Sequence, residues 1–132
     1  MHVLLIPLGS HGDVHPFIGL GRALRTRGHR VTLATSAHFA DLAARLGFDF
    51  VSLAGEDEFR EVTENPDLWH PVRGFRLVVE MTLRVMRPVY ELIASRYAHD
   101  GTVIAAELTV YGARIAQEAL GVITGGLGPL DA

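Results

Sequence analysis

An α/β domain built on a doubly wound parallel sheet is what this sequence predicts, and three observations predict it. Short apolar runs alternate with stretches of helical periodicity. A glycine-rich turn follows the first run. Single glycines stand where the helices should stop. That rhythm is the pattern of an open parallel α/β sheet.

His2 to Pro7 reads as a short apolar strand of the kind buried on both faces of a sheet. Gly9-Ser10-His11-Gly12-Asp13 forms the turn. From Val14 to Arg27 the pattern is helical: Phe17, Leu20 and Leu24 share one face, with Ile18 and Gly21 beside it. Gly28 closes this helix. Arg30 to Ala34 is the second strand, Ala37 to Leu46 the second helix, and Phe48 to Leu53 the third strand. Ala54 to Pro71 then breaks the rhythm as a long acidic excursion with one short helix. From Arg73 an apolar stripe resumes through Phe75, Val78, Val79, Val85, Met86, Val89 and Ile93, and Pro88 should kink it or start a new helix. Val103 to Ala105 is a fourth strand, Thr109 to Leu120 a helix, and Val122 to Thr124 a fifth strand. The terminal GGLGPLDA reads as a loop.

Composition narrows the function. A chain of 132 residues suits one domain. Nearly half of it, 48%, is hydrophobic, enough for a core and too much for a disordered segment. The net charge of -3 argues against a nucleic-acid binder with a broad basic surface. All 12 cationic residues are arginine, which reads as a genomic bias. With no cysteine, disulfides, thiolate catalysis and zinc-thiolate sites are excluded. The histidines are not at ligand spacing, so no metal is expected. The apolar N-terminus is short and has no positive leader, and Glu80, Arg84 and Arg87 interrupt the stretch from Leu77 to Leu92. A cytoplasmic protein without a transmembrane segment is the expectation.

The turn after the first strand is where open α/β proteins bind ligands. Gly9 and Gly12 allow a tight backbone, and the following helix offers free N–H groups to a phosphate, sugar or carboxylate. No Lys-Ser/Thr pair follows, so it is not a P-loop. Nor is Gly9-x-x-Gly12 the dinucleotide fingerprint, and no acid ends the second strand.

The stretch GSHGDVHPFIGLGRALRTRGHRVTLAT resembles the opening of GT-B glycosyltransferases, in the branch of the sterol glucosyltransferases and the antibiotic (glycopeptide and macrolide) glycosyltransferases. The matching positions are Gly9, Ser10, Gly12, Asp13, Val14 and Pro16, then Gly19, Leu20, Gly21 and Leu24, then Arg27, Gly28, His29 and Val31. Ala116, Leu120, Gly121 and Val122 look like that family's later helix-to-strand step. The likeness covers nearly the whole chain and is strong over its first quarter. It implies a Rossmann-like domain, one half of a GT-B fold, in which residues 1–132 form the acceptor side. A C-terminal domain absent from this chain would bind the nucleotide diphosphate sugar, which is a substrate, and no cofactor is implied. The implied reaction is a metal-independent, inverting transfer of a hexose to a hydroxyl of a lipid, sterol or natural-product acceptor.

Within that resemblance Asp13 is the base. A carboxylate has an ordinary pKa of about 4 and needs partial desolvation for that work. The plainer reading is a helix N-cap, and the two roles are compatible. His11 and His15 flank it; each is suited to base work near neutral pH, or is a polar residue of the turn and first helical turn. Gly9, Ser10 and Gly12 are candidates to touch substrate, or serve turn geometry alone. Trp69, His70 and Phe75 are candidates to line an acceptor pocket, against core or interdomain packing. His29 reads as structural, and the acidic run Glu56-Asp57-Glu58 as a solvated face. Contact with a membrane at its surface and self-association are both compatible with such a domain. Two rivals stand beside the transferase: a nucleotide-sugar epimerase of the same fold, and a non-enzymatic α/β ligand-binding module.

Overall fold

The computed structural model describes residues 1–9, 11–97, 101–107, 110–121 and 123–127, with the side chains of His11, Tyr111 and 123–127 outside the description. The elements run β1 (His2–Ile6), α1 (His11–Thr26), β2 (Arg30–Ser36), α2 (Ala40–Arg45), β3 (Asp49–Ala54), α3 (Glu56–Thr63), α4 (Arg73–Leu92), β4 (Val103–Glu107), α5 (Tyr111–Leu120) and β5 (Ile123–Leu127). Short 3-10 turns at Ala37–Phe39 and Pro66–Trp69 precede α2 and α4, and α4 runs on into a π turn at Ile93–Tyr97. The five strands lie in the order β3-β2-β1-β4-β5. Every pairing is parallel.

β1 is central because its residues leave no face for water. Val3 and Leu5 point into one core with Val14 and Phe17 of α1, Phe39, and Ala43 of α2. Leu4 and Ile6 point into the other with Val85, Val89 and Ile93, and with Ala113 and Ala116 of α5. Alternation along a strand thus feeds both layers of helices, as a doubly wound sheet requires. At the amino ends of the strands His2 bridges its neighbours: Nδ1 lies 2.9 Å from Thr102 Oγ1 and Nε2 lies 2.7 Å from Thr32 Oγ1.

The structure adjusts several boundaries. α1 begins at His11, three residues before the apolar periodicity, so the turn after β1 is short and Asp13 sits in the first helical turn. β4 reaches Glu107 and β5 reaches Leu127, so Gly125 to Leu127 are strand where a loop was expected. The rest of that expected loop lies outside the described residues. Pro88 neither ends α4 nor starts a new helix. The carbonyl it deprives of a partner is that of Arg84, and both residues are exposed, so water can satisfy the group.

α4 and α5 touch at one point where only glycine fits. A Cβ on Gly112 would run into the carbonyl oxygen of Met86 and stand 2.9 Å from Val89 Cβ. Gly19, on the exposed side of α1, has open space around it. Gly112→Ala is therefore expected to destabilise the fold by about 1–3 kcal/mol. Gly19→Ala should leave it unchanged or stabilise it by up to about 1 kcal/mol. Chemical denaturation of both variants checks the pair, and equal effects would refute the close-packing account.

Candidate functional site

The carboxyl ends of the strands open into a chamber of about 390 Å³. β1 and its turn supply Leu8, Gly9 and Asp13; β2 supplies Thr35 and Ser36; β3 supplies Leu53 and Ala54; β4 supplies Glu107. The remaining walls come from α3, the 3-10 turn and α4, including Phe59, Val62, Leu68, Met81 and Val85. The acidic excursion after β3 therefore does more than present a charged face. Its amphipathic helix α3 puts Glu56, Asp57 and Glu61 in solvent and turns Phe59 and Val62 inward. His38 holds that helix in place: its ring stacks on Phe59 with centroids 4.2 Å apart, and Nδ1 meets Glu56 Oε1 at 2.9 Å.

The polar end of the chamber is built by the way the chain leaves β1. Gly9 adopts φ +113°, a conformation open to glycine. Its missing Cβ is also required for packing, because the Asp13 carboxylate occupies that space. One residue earlier, the Leu8 N–H donates to Glu107 Oε2 at 2.9 Å. Two carboxylates thus flank the same short turn, one from α1 and one from the end of β4. Burial holds the Glu107 carboxyl above the ordinary carboxylate range, and the negative charge of Asp13 pushes the same way; the Leu8 hydrogen bond pulls against both. Arg84 and Glu58 also line the chamber, and both residues are exposed.

Of the residues singled out in the sequence, Gly9, Asp13 and Trp69 come together on the chamber wall. Trp69 is 88% exposed, so it stands in solvent and not in the core. His70 serves the backbone instead. Its Nδ1 accepts from the N–H groups of Val72 and Arg73 at 3.2 and 3.1 Å, which caps the start of α4. Phe75 is 71% exposed and is not one of the lining residues. Gly12 and His15 are exposed on α1 and do not line the chamber either. Ser10 and the His11 side chain lie outside the described residues. Among the described residues no group of three or more potential ligands could hold a metal ion. No described helix is long and apolar enough to cross a membrane. Glu107 escaped the sequence reading, which stopped β4 at Ala105. The available signal was a carboxylate ending an apolar strand at the ligand-binding edge of an open sheet.

Residues 3–124 match the glycosyltransferase family 28 N-terminal domain. The chain belongs to that family. Over 55 residues, 42% of its length, it is 44% identical to a sterol 3-beta-glucosyltransferase of Candida albicans, of which it spans 4%. Over 58 residues, 44% of its length, it is 36% identical to the O-mycaminosyltylonolide 6-deoxyallosyltransferase of Streptomyces fradiae, of which it spans 14%. Among solved structures, the glycosyltransferase SsfS6 of Streptomyces sp. SF2575 superposes with a TM-score of 0.70 at 22% identity, over 97% of this chain and 39% of that one. The glycotransferase of kitacinnamycin superposes with a TM-score of 0.71 at 22% identity, over 97% and 30%. The fold is thus the Rossmann-like half of a GT-B glycosyltransferase, and this family 28 domain spans a minor part of the relatives it matches.

The position of Glu107 in the family 28 domain has a measurable consequence. Because its pKa is raised in the folded chain, the folded chain holds that proton more tightly than the unfolded one. Its stabilising contribution is full below the ordinary carboxylate pKa and is lost as pH rises through the folded value. Glu107→Gln keeps an acceptor for Leu8 and removes the ionisation. Its melting temperature should exceed that of the wild type at about pH 8, with the difference shrinking near about pH 4. A lower melting temperature at the higher pH would contradict the buried-carboxylate account.

Proposed function

We propose that the protein carrying this domain transfers a hexose from a nucleotide diphosphate sugar to a hydroxyl of a lipid, sterol or natural-product acceptor, and that this domain holds the acceptor. One observation carries the reading: an apolar chamber ends against a turn that presents a carboxylate. Apolar walls suit a lipophilic molecule, and a few convergent polar groups at one end suit orientation of its single reactive group. The names of two relatives fit this reading, since one acts on a sterol and the other on O-mycaminosyltylonolide. An epimerase of the same fold has no use for an apolar acceptor chamber.

In the proposed reaction Asp13 takes the proton of the acceptor hydroxyl. The acceptor oxygen then forms the new bond to the anomeric carbon as the bond to the diphosphate oxygen breaks. Attack from the side opposite the leaving group inverts that carbon. The nucleotide diphosphate departs with the bonding electrons, and Asp13 keeps the proton until solvent takes it. The charge that develops on the leaving group is met in the second domain, by a helix N-terminus and side chains, with no metal ion required. Glu107 holds Leu8, and through it the turn, so its role is to position Asp13. A cytoplasmic location fits a donor of this class.

In the full-length protein, Asp13→Asn should lower kcat by about two to four orders of magnitude while leaving donor binding intact. His11→Ala and His15→Ala should cost less. Steady-state kinetics on the three variants decide it: normal turnover by Asp13→Asn with a dead His15→Ala would move the base to His15. The 132-residue chain itself should show no transfer and negligible affinity for uridine or thymidine diphosphate sugars by calorimetry. Tight stoichiometric binding would mean that the donor site is already complete in this domain.

A further inference from the structure

Every residue from Ser52 to Arg73 is exposed or half-buried. The same run gives the chamber Leu53, Phe59, Val62, Leu68 and Trp69. A wall with no fully buried anchor keeps its shape through a few specific ties, and losing one tie frees a local segment before the whole fold. In the first half of the run the tie is His38, which stacks on Phe59 and meets Glu56. In the second half the ties converge on His70.

The local sequence explains why. Asn65 and Pro66 start the 3-10 turn: Asn65 Oδ1 accepts from the Asp67 N–H at 2.8 Å, and proline follows where no N–H is needed. His70 ends that turn and begins α4. Its N–H donates to the Asp67 carbonyl at 2.9 Å, and its carbonyl accepts from the Gly74 N–H at 2.8 Å. Its ring Nδ1 accepts from Val72 and Arg73, two N–H groups at the helix start that lack helical partners. The two segments it joins touch backbone to backbone, since a Cβ on Gly74 would run into the carbonyl oxygen of Leu68. The charged neighbours are Asp67 of the turn and Arg73 of α4, paired with each other at 3.1 Å. That pair is exposed and adds little. An imidazole nitrogen accepts a hydrogen bond only while it carries no proton, so this tie is one that acid can break.

We infer that His70 is a positioning residue for acceptor binding. By fastening the turn that bears Leu68 and Trp69 to the start of α4, it gives the chamber wall its shape before the acceptor arrives. The acceptor then binds without having to order that wall itself. Protonation of the ring releases the wall and weakens binding. This rests on the reading of the chamber as the acceptor site.

The test is equilibrium binding of cholesterol to this chain and to His70→Ala, His70→Asn and Thr102→Val. The readout is the emission of Trp69, the single tryptophan of the chain, which stands in solvent and shifts to shorter wavelength when a sterol covers it. At about pH 8, His70→Ala should bind about three- to tenfold more weakly, the worth of a helix cap. His70→Asn, whose amide oxygen replaces the ring nitrogen, should keep most of the affinity. Thr102→Val breaks the His2 bridge at the amino ends of the strands, so it should lower the melting temperature without weakening the sterol. Acidification to about pH 5 should move the wild type toward His70→Ala and affect His70→Asn less. If His70→Ala loses no more affinity than Thr102→Val, the ring only stabilises the fold. If acid weakens the wild type and His70→Asn alike, another group titrates. Either result overturns the inference while leaving the acceptor chamber standing. If the wild type does not bind the sterol, the reading of the chamber as a lipophilic acceptor site fails, and the role of His70 in binding fails with it.

Discussion

The chain leaves its central strand through a residue without a side chain, and the Asp13 carboxylate lies in the space that this absence creates. The rest of the site hangs on that exit. A side chain at position 9 would strain a backbone at φ +113° and displace Asp13 in one move. The neighbouring Leu8 N–H is tied to Glu107, so β4 fixes the turn from its other side. Sheet, helix and site are therefore one mechanical unit. The two cores packed on alternate residues of β1 keep the strand from shifting, and the strand aims the turn.

The chamber divides its chemistry by position. Its helical walls are mostly apolar, with Glu58 and Arg84 at exposed positions, while Asp13 and Glu107 flank the turn after β1. Burial raises the free energy of the charged form of Glu107, and the negative charge of Asp13 adds to it. Binding an apolar molecule would remove water from the same end and strengthen every electrostatic interaction left there.

Much of the architecture was legible in the sequence because parallel sheets announce themselves locally. Val3 to Ile6 and Val31 to Ala34 are apolar runs too short for helices, and glycines at 28, 47 and 121 stop the helices between them. Asp13 was singled out through the family resemblance, spacing alone giving no more than a helix N-cap, and the structure places it on the chamber wall. The walls of the chamber were not. Val78, Met81 and Val85 lie on one apolar stripe, and periodicity cannot tell a residue that meets the sheet from one that meets a cavity. His70 looked like a pocket residue beside Trp69, and only the fold showed its ring capping α4. Glu107 lay past the point where the apolar run seemed to end, and its importance comes from a hydrogen bond spanning 99 positions.

Most of the chamber wall belongs to one continuous run, from Leu53 at the end of β3 to Val85, where α4 joins the core. The exit turn, Thr35 and Glu107 lie outside it. The protein is therefore modular at the level of a single cassette. Drift or exchange within that run can reshape which molecules fit the chamber while its polar end stays as it is. A scaffold of this kind can acquire a new client by altering one stretch of chain, without renegotiating the sheet beneath it.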